Sequence, residues 1–378
     1  MKNIEYLFSG ILPVNHKKNK DLNKDKIIIN KKIFNANGIF SIIEHFQWKL
    51  MQNNKVKVKI VINCPVIGDD ATLIVFESLI YYLIKVYDFD IQYTFNVNKS
   101  LAGYELYKMS NLFKYDNRKI KKTEFFENYE NKFDINLHHF RKICINNKNN
   151  NYGIYLSLLT DDICNFLKNN NIKQEYYEVL GEAIIEIIGN CIEHSDADAI
   201  LDIKVIKSFK NKKECKFLNI TIVAFTKDKF GGELKKYLFD FDDGYNSSNE
   251  IVKLAYDIQK NKFNKSYSLD NFLMVSSFQK NVTTRKYSEG SGGKGLTFFI
   301  ETLIESSLAD YCYVLNGNTI IFLKNPYLCL NEDGTIGFNN TNNYVEKLPN
   351  QQIVINEEKC FNGTIHNLSF ILEGEENE

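Results

Sequence analysis

The stretch EVLGEAIIEIIGNCIEHS at 178–195 decides how this chain is read. Its apolar residues recur at helical spacing. Glu182, Glu186, Asn190 and His194 follow one another every fourth residue, so they line one edge of a single helix. The remaining positions are largely Ile, Ala, Val and Leu, which bury the opposite face. A polar group on the inward part of such a helix needs a partner, because burying it unpaired costs on the order of a few kcal/mol. A carboxylate and an amide oxygen one turn apart can hold a divalent cation and orient a water. An ordinary solvent-facing stripe has the same spacing, so a second signal is needed.

That signal lies downstream, in SEGSGGKGLTFFIETL at 288–303, where Gly290, Gly292, Gly293 and Gly295 precede an amphipathic helix expected at 296–305. Glycine lets a backbone approach phosphate oxygens closely, and a helix N-terminus offers free N–H groups and a favourable dipole. Lys294 adds a point charge. Neither the dinucleotide fingerprint nor the GxxxxGK[ST] spacing is present.

In this order the two elements resemble the GHKL superfamily of ATPases and kinases, whose ATP-binding domain is the Bergerat fold. Glu186-x-x-x-Asn190-x-x-Glu193-His194-Ser195 is similar to its N-box, particularly in bacterial anti-sigma-factor kinases. Gly292-Gly293-Lys294-Gly295-Leu296 looks like the second glycine box, Thr283-Thr284-Arg285 sits where the ATP lid would be, and Asn362-Gly363-Thr364-Ile365 looks like the start of the final strand. The resemblance covers roughly 150–372. It implies ATP and Mg²⁺ as cofactors, with Glu186 as general base and Asn190 as the Mg²⁺ ligand. Gly292, Gly293, Lys294, Gly295 and Leu296 would close around the phosphates, with Thr283 and Arg285 in the lid. His194 and Ser195 would shape the end of the pocket. One departure stands out. The family's adenine-reading acid would fall near Ala224 or Phe225, both apolar, and the nearest substitute is Asp228 before Gly231-Gly232.

Working outward, residues 1–27 read as a polar arm, 28–115 as a small α/β layer, 116–150 as a linker and 151–378 as the ATP-binding domain. The first layer is expected to alternate strands at 27–34, 55–64 and 89–97 with helices at 38–52, 71–86 and 101–113. It resembles the STAS-like fold in the step from a buried strand through Asp69-Asp70, an N-cap signal, into an amphipathic helix. In the second domain, helices at 154–167 and 174–194 precede strands at 199–209 and 217–225, joined by a polar turn at 210–215. Further helices follow between 232 and 282. A hairpin of 311–315 and 319–323 turns at Asn316-Gly317-Asn318, and a last strand spans 363–372. The fold class is therefore α/β: an N-terminal layer followed by a sandwich with helices on one side of mostly antiparallel strands.

Composition limits the alternatives. With 47 basic and 47 acidic side chains the chain lacks the positive field of a dedicated nucleic-acid binder. The basic runs at 17–26 and 118–122 read as solvated surface. The apolar stretch 71–87 is broken by Glu77 and Lys85, which argues against a membrane span. The start shows no long apolar core before a small-residue cleavage site, so a cytoplasmic location is expected. Eight cysteines without a CxxC pair suggest neither zinc nor a disulfide framework. The neighbouring His138 and His139 point to different sides of any regular element and lack a third metal ligand. The leading expectation is a nucleotide-driven ATPase switch on an unidentified protein partner; homodimerisation, common among the relatives, is compatible with it. A serine/threonine kinase of the anti-sigma type and a non-catalytic nucleotide-sensing module are the alternatives. A histidine kinase fits less well, because no phosphoacceptor helix of the His-Glu type precedes the domain: His45 is followed by Phe46 and Gln47.

Overall fold

The computed structural model describes residues 25–51, 57–98, 104, 107–108, 110–130, 138–144, 152–194, 199–210, 213–225, 231–240, 250–280, 282 and 309–373. Its first layer is a parallel sheet, β1 (Lys26–Asn30), β3 (Lys57–Asn63) and β5 (Asp90–Phe95), in the order β1-β3-β5. A short parallel pair, β2 (Ile33–Phe34) and β4 (Val66–Ile67), lies beside it. Parallel neighbours need crossovers, supplied by α1 (Ala36–Met51) and α2 (Asp70–Tyr87). The two helices touch each other and share one core with the sheet, the single-face placement that right-handed crossovers in one direction produce. Alternation sets the pleat: Val58, Ile60 and Ile62 are buried while Lys57, Lys59 and Asn63 face outward. Asp69 caps α2 as expected, its Oδ1 accepting from the Thr72 N–H at 2.8 Å. Part of the helix expected at 101–113 lies outside the described residues; residues 104, 107 and 108 are helical, and α3 covers Asn111–Tyr115.

The stretch read as a linker, 116–150, contains regular structure. Helix α4 spans Lys122–Glu130, and β6 (His139–Cys144) is the edge of the second sheet. The strand was hidden because its polar side chains, His139 and Arg141, point inward, reversing the usual pattern.

The second sheet has the order β6-β7-β8-β10-β9, with β7 at Ala199–Lys210, β8 at Lys213–Ala224, β9 at Ala309–Leu323 and β10 at Val354–Glu373. All its pairs are antiparallel. The expected turn at 210–215 is tighter, because β7 and β8 extend into it. β9 doubles back on itself. Eleven extended residues would separate Tyr311 from Phe322 by about 36 Å, yet their ring centroids lie 6.3 Å apart. The reversal falls at Asn316-Gly317, where Gly317 has φ +58°. β10 follows both arms: Val354 registers with Ile321 on one and Ile365 with Leu315 on the other, with bulges at the tip between. The final strand is thus longer than 363–372.

Helices α5 (Tyr152–Asn169) and α6 (Gln174–His194) cover one face of this sheet, packing with Leu201, Ile203, Leu218, Ile220 and Leu368. The helices cross closely at Gly181, where an added Cβ would lie 2.6 Å from Cys164 Sγ. Shorter helices follow: α7 (Gly232–Asp240), α8 (Glu250–Gln259) and α9 (Leu269–Ser276). The opposite face meets the first layer. Ile200, Val223, Phe225, Leu315 and Ile365 share one core with Phe76, Leu79 and Phe95. The order of layers is parallel sheet, α1 and α2, antiparallel sheet, α5 and α6.

Between these apolar contacts runs a buried polar lattice. Two cross-strand rows traverse all five strands: Arg141, Asp202, Thr221, Asn367 and Tyr313, and beside it His139, Lys204, Asn219, Ser369 and Tyr311. α2 meets them with carboxylates. Lys204 Nζ donates to Asp70 at 2.6 and 2.7 Å and lies 3.2 Å from Asp202. Arg141 donates to Glu77 at 2.5 and 3.2 Å and to Asp202 at 2.6 Å. Asn219 Nδ2 donates to Ser369 Oγ at 2.6 Å, and Thr221 Oγ1 donates to Asn219. Burial pushes the Asp70 carboxyl up, with Lys204 working against it. At Asp202 burial pushes the same way, but His139, Lys204 and Arg141 outweigh it and hold the carboxyl well below its usual range. Glu77, one of the charges that argued against a membrane span, is therefore the interlayer partner of Arg141. No helix among the described residues is long and apolar enough to cross a membrane.

Two predictions follow from this packing. Lys204→Met leaves Asp70 and Asp202 buried without their shared ammonium and should cost about 3–5 kcal/mol in urea unfolding; adding Asp70→Asn should recover part of it. A single-variant loss near zero would show that the lattice does not hold the layers together. The second concerns acid. Burial pushes His45 down to about 4 and His366 down to about 3. Both are held neutral in the fold, so their contribution is complete above an unfolded value near 6.5 and is lost as pH falls toward those values. Unfolding midpoints should drop between pH about 6.5 and 4, and His366→Gln should flatten the drop; an unchanged slope would contradict this.

Candidate functional site

α6 begins exposed and becomes enclosed. Leu180, Ala183, Ile184, Ile187, Ile188, Cys191 and Ile192 are buried against the sheet and α5. Along its other edge Glu182 is exposed, whereas Glu186 and Asn190 are half-buried. Among the described residues neither Glu186 nor Asn190 makes a side-chain hydrogen bond or ion pair. A carboxylate and an amide thus stand one turn apart, partly withdrawn from water and, among the described residues, without a side-chain partner. Helix packing fixes their backbone, because Gly181 seats α6 on Cys164.

The other expected site residues, Asp228, Thr283, Arg285, Gly292, Gly293, Lys294, Gly295 and Leu296, lie outside the described residues, as does Ser195. The chain on either side of the glycine stretch is placed. Val282 is buried in the core shared with α6, and β9 begins at Ala309.

The corner where an adenine-reading acid was missed in the sequence is closely packed. Ala224 and Phe225 are each 1% exposed and face opposite sides of the sheet. Phe225 meets Tyr82 of α2 edge-on at 5.4 Å and Phe361 at 5.8 Å. Thr364 registers opposite Ala224, and its hydroxyl accepts from Asn316 Nδ2 at 2.7 Å. A Cβ on Gly363 would come within 2.5 Å of the Ala224 carbonyl oxygen, which explains a glycine there. The polar groups beside Ala224 are therefore an amide and a hydroxyl. Sequence reading had placed Asn316 in the hairpin turn and Thr364 at the start of the final strand without relating either to a base pocket, because only strand pairing brings them together.

The histidine pair divides as expected. His138 Nδ1 meets Asn170 Oδ1 at 2.8 Å, while His139 Nε2 meets Asp202 at 2.9 Å. No group of three or more His, Cys, Asp or Glu side chains that could hold a metal occurs among the described residues. A cation at the α6 edge would draw its remaining ligands from water and a bound anion, as Mg²⁺ commonly does.

Because Glu186 and Asn190 make no side-chain hydrogen bond or ion pair among the described residues, Glu186→Gln and Asn190→Ala should leave the urea midpoint almost unchanged, within about 0.5 kcal/mol of stability. A loss of about 2 kcal/mol or more would identify them as structural residues instead. The chain matches no protein-family model, no curated protein and no solved structure.

Proposed function

We propose that the chain binds Mg-ATP along the outer edge of α6 and acts as a nucleotide-driven switch of the GHKL type on a protein partner. One observation carries this reading: Glu186 and Asn190 are half-buried, one turn apart and, among the described residues, without side-chain partners on a helix whose other face is fixed in the core. Hard oxygen donors of this kind suit Mg²⁺. Asn190 would offer its side-chain oxygen to the metal, and Glu186 would accept a proton from the attacking water or hydroxyl. Mg-ATP, when bound, supplies the transferable phosphoryl group and the charge neutralisation it requires. Gly292, Gly293, Lys294 and Gly295 would meet the phosphates, with Thr283 and Arg285 in a lid. The helix layer on one face of the antiparallel sheet supports a Bergerat-type sandwich. The three-stranded parallel layer with both helices on one side supports a STAS-like regulatory layer.

The base end fits less well. Ala224 and Phe225 supply no carboxylate, so adenine would meet the Asn316 amide and the Thr364 hydroxyl. That substitution favours a second reading, a module that binds nucleotide without turning it over. Transfer to a serine or threonine of the partner would use the same Glu186.

Phosphate release from Mg-ATP by the purified chain separates these readings. Slow turnover should fall about 100-fold or more in Glu186→Ala, while calorimetry should show ATP binding retained in that variant and weakened in Asn190→Ala. Binding without turnover selects the sensing module, and label transferred to the partner selects the kinase. Equal turnover in Glu186→Ala, or no ATP binding by the native chain, rejects the assignment.

A further inference from the structure

Four carboxylates gather where α2 meets the antiparallel sheet: Asp69, Asp70, Glu77 and Asp202. Two cations and the His139 imidazole answer three of them. Lys204 pairs with Asp70 and Asp202, Arg141 pairs with Glu77 and Asp202, and His139 meets Asp202. Among the described residues Asp69 pairs with no cation. Its Oδ1 accepts from the Thr72 N–H at 2.8 Å and the Thr72 hydroxyl at 2.7 Å, and its Oδ2 accepts from the Tyr313 hydroxyl at 2.7 Å. All three donors are neutral, and Asp69 is only half-buried. Among the described residues this carboxylate thus meets only neutral donors.

Beside this carboxylate stand three aromatic rings on the two arms of the β9 hairpin. Tyr311 and Tyr313 lie 5.8 Å apart at 72°, and Phe322 is 6.3 and 6.0 Å from them. Tyr311 is 50% exposed. Burial, with Asp69 adding to it, pushes both phenols up, so both remain neutral donors. Tilted packing leaves an open ring face whose quadrupole is negative, next to a carboxylate that is negative. Such a pairing repels anions and attracts a weakly hydrated cation. A guanidinium suits it better than an ammonium. It is planar, stacks on a ring face and can donate in the same plane to a carboxylate.

We propose that the rim formed by Asp69, Tyr311, Tyr313 and Phe322 docks an arginine side chain of a partner protein. The ring face of Tyr311 carries the guanidinium, and the remaining lone pair of Asp69 receives one of its N–H groups. The site lies on the sheet face turned toward the first layer, opposite the face that α6 covers, and it needs no nucleotide. It stands or falls apart from the ATP reading.

The test uses the full chain and three short glycine-flanked peptides carrying one arginine, one lysine or one citrulline, with free guanidinium as a fourth probe. The arginine peptide should bind saturably in calorimetry, and the neutral citrulline peptide should bind at least about fivefold more weakly. Tyr311→Ala, at an exposed position, and Asp69→Asn, which keeps a capping side chain, should each weaken the arginine peptide by a similar factor. Equal binding of the citrulline peptide, unchanged binding in either variant, or no saturable binding overturns the site. Equal binding of the lysine peptide overturns the arginine assignment. Free guanidinium binding as tightly as the peptide overturns a protein-borne source.

Discussion

The ion-pair lattice between α2 and the antiparallel sheet is the constraint on which the layered arrangement depends. Asp70, Glu77, Arg141, Asp202 and Lys204 are all buried, and they come from two different layers. Such charges are costly to desolvate and tolerable only when each meets its partners with good geometry. Apolar rows on either side would accept many registers. The lattice accepts one, because a slip of a single residue would turn Asp202 and Lys204 toward α6 and leave Asp70 and Glu77 unpaired. Specific docking of the first layer is what these charges contribute, rather than net stability. The same geometry explains β6, which serves as a sheet edge mainly by presenting Arg141.

Much of the layering was legible in the sequence. The alternation of 55–64 and the Asp69 cap announced an α/β layer, and the helix expected at 174–194 matches α6 to the residue. The hairpin at Asn316-Gly317 was legible because Asn-Gly is a local signal. The lattice was not. Arg141, Asp202 and Lys204 sit at positions where a pattern reading expects solvent, and only the pairing of distant strands turns those positions inward. Local periodicity reports which residues share a face; it does not report which face another layer will cover. That is also why 116–150 read as a linker.

The α6 edge is the converse case. Its residues were legible as a stripe from spacing alone, since the i, i+4 repeat is a property of the helix itself. What spacing could not separate was a solvated stripe from a working one. The structure adds that Glu186 and Asn190 are partly withdrawn from water and, among the described residues, make no side-chain hydrogen bond or ion pair, whereas Glu182 is exposed. The polar groups of the interlayer lattice, by contrast, pair with one another. The functional proposal follows from that difference.

The most direct measurement is an experimental structure of the full chain with Mg²⁺ and a non-hydrolysable ATP analogue. The account predicts a metal bound to Asn190 Oδ1 at about 2.1 Å, the phosphates lying along α6, and Glu186 facing the terminal phosphate. A nucleotide seated elsewhere, or an α6 edge that stays unoccupied in the presence of saturating analogue, would contradict it.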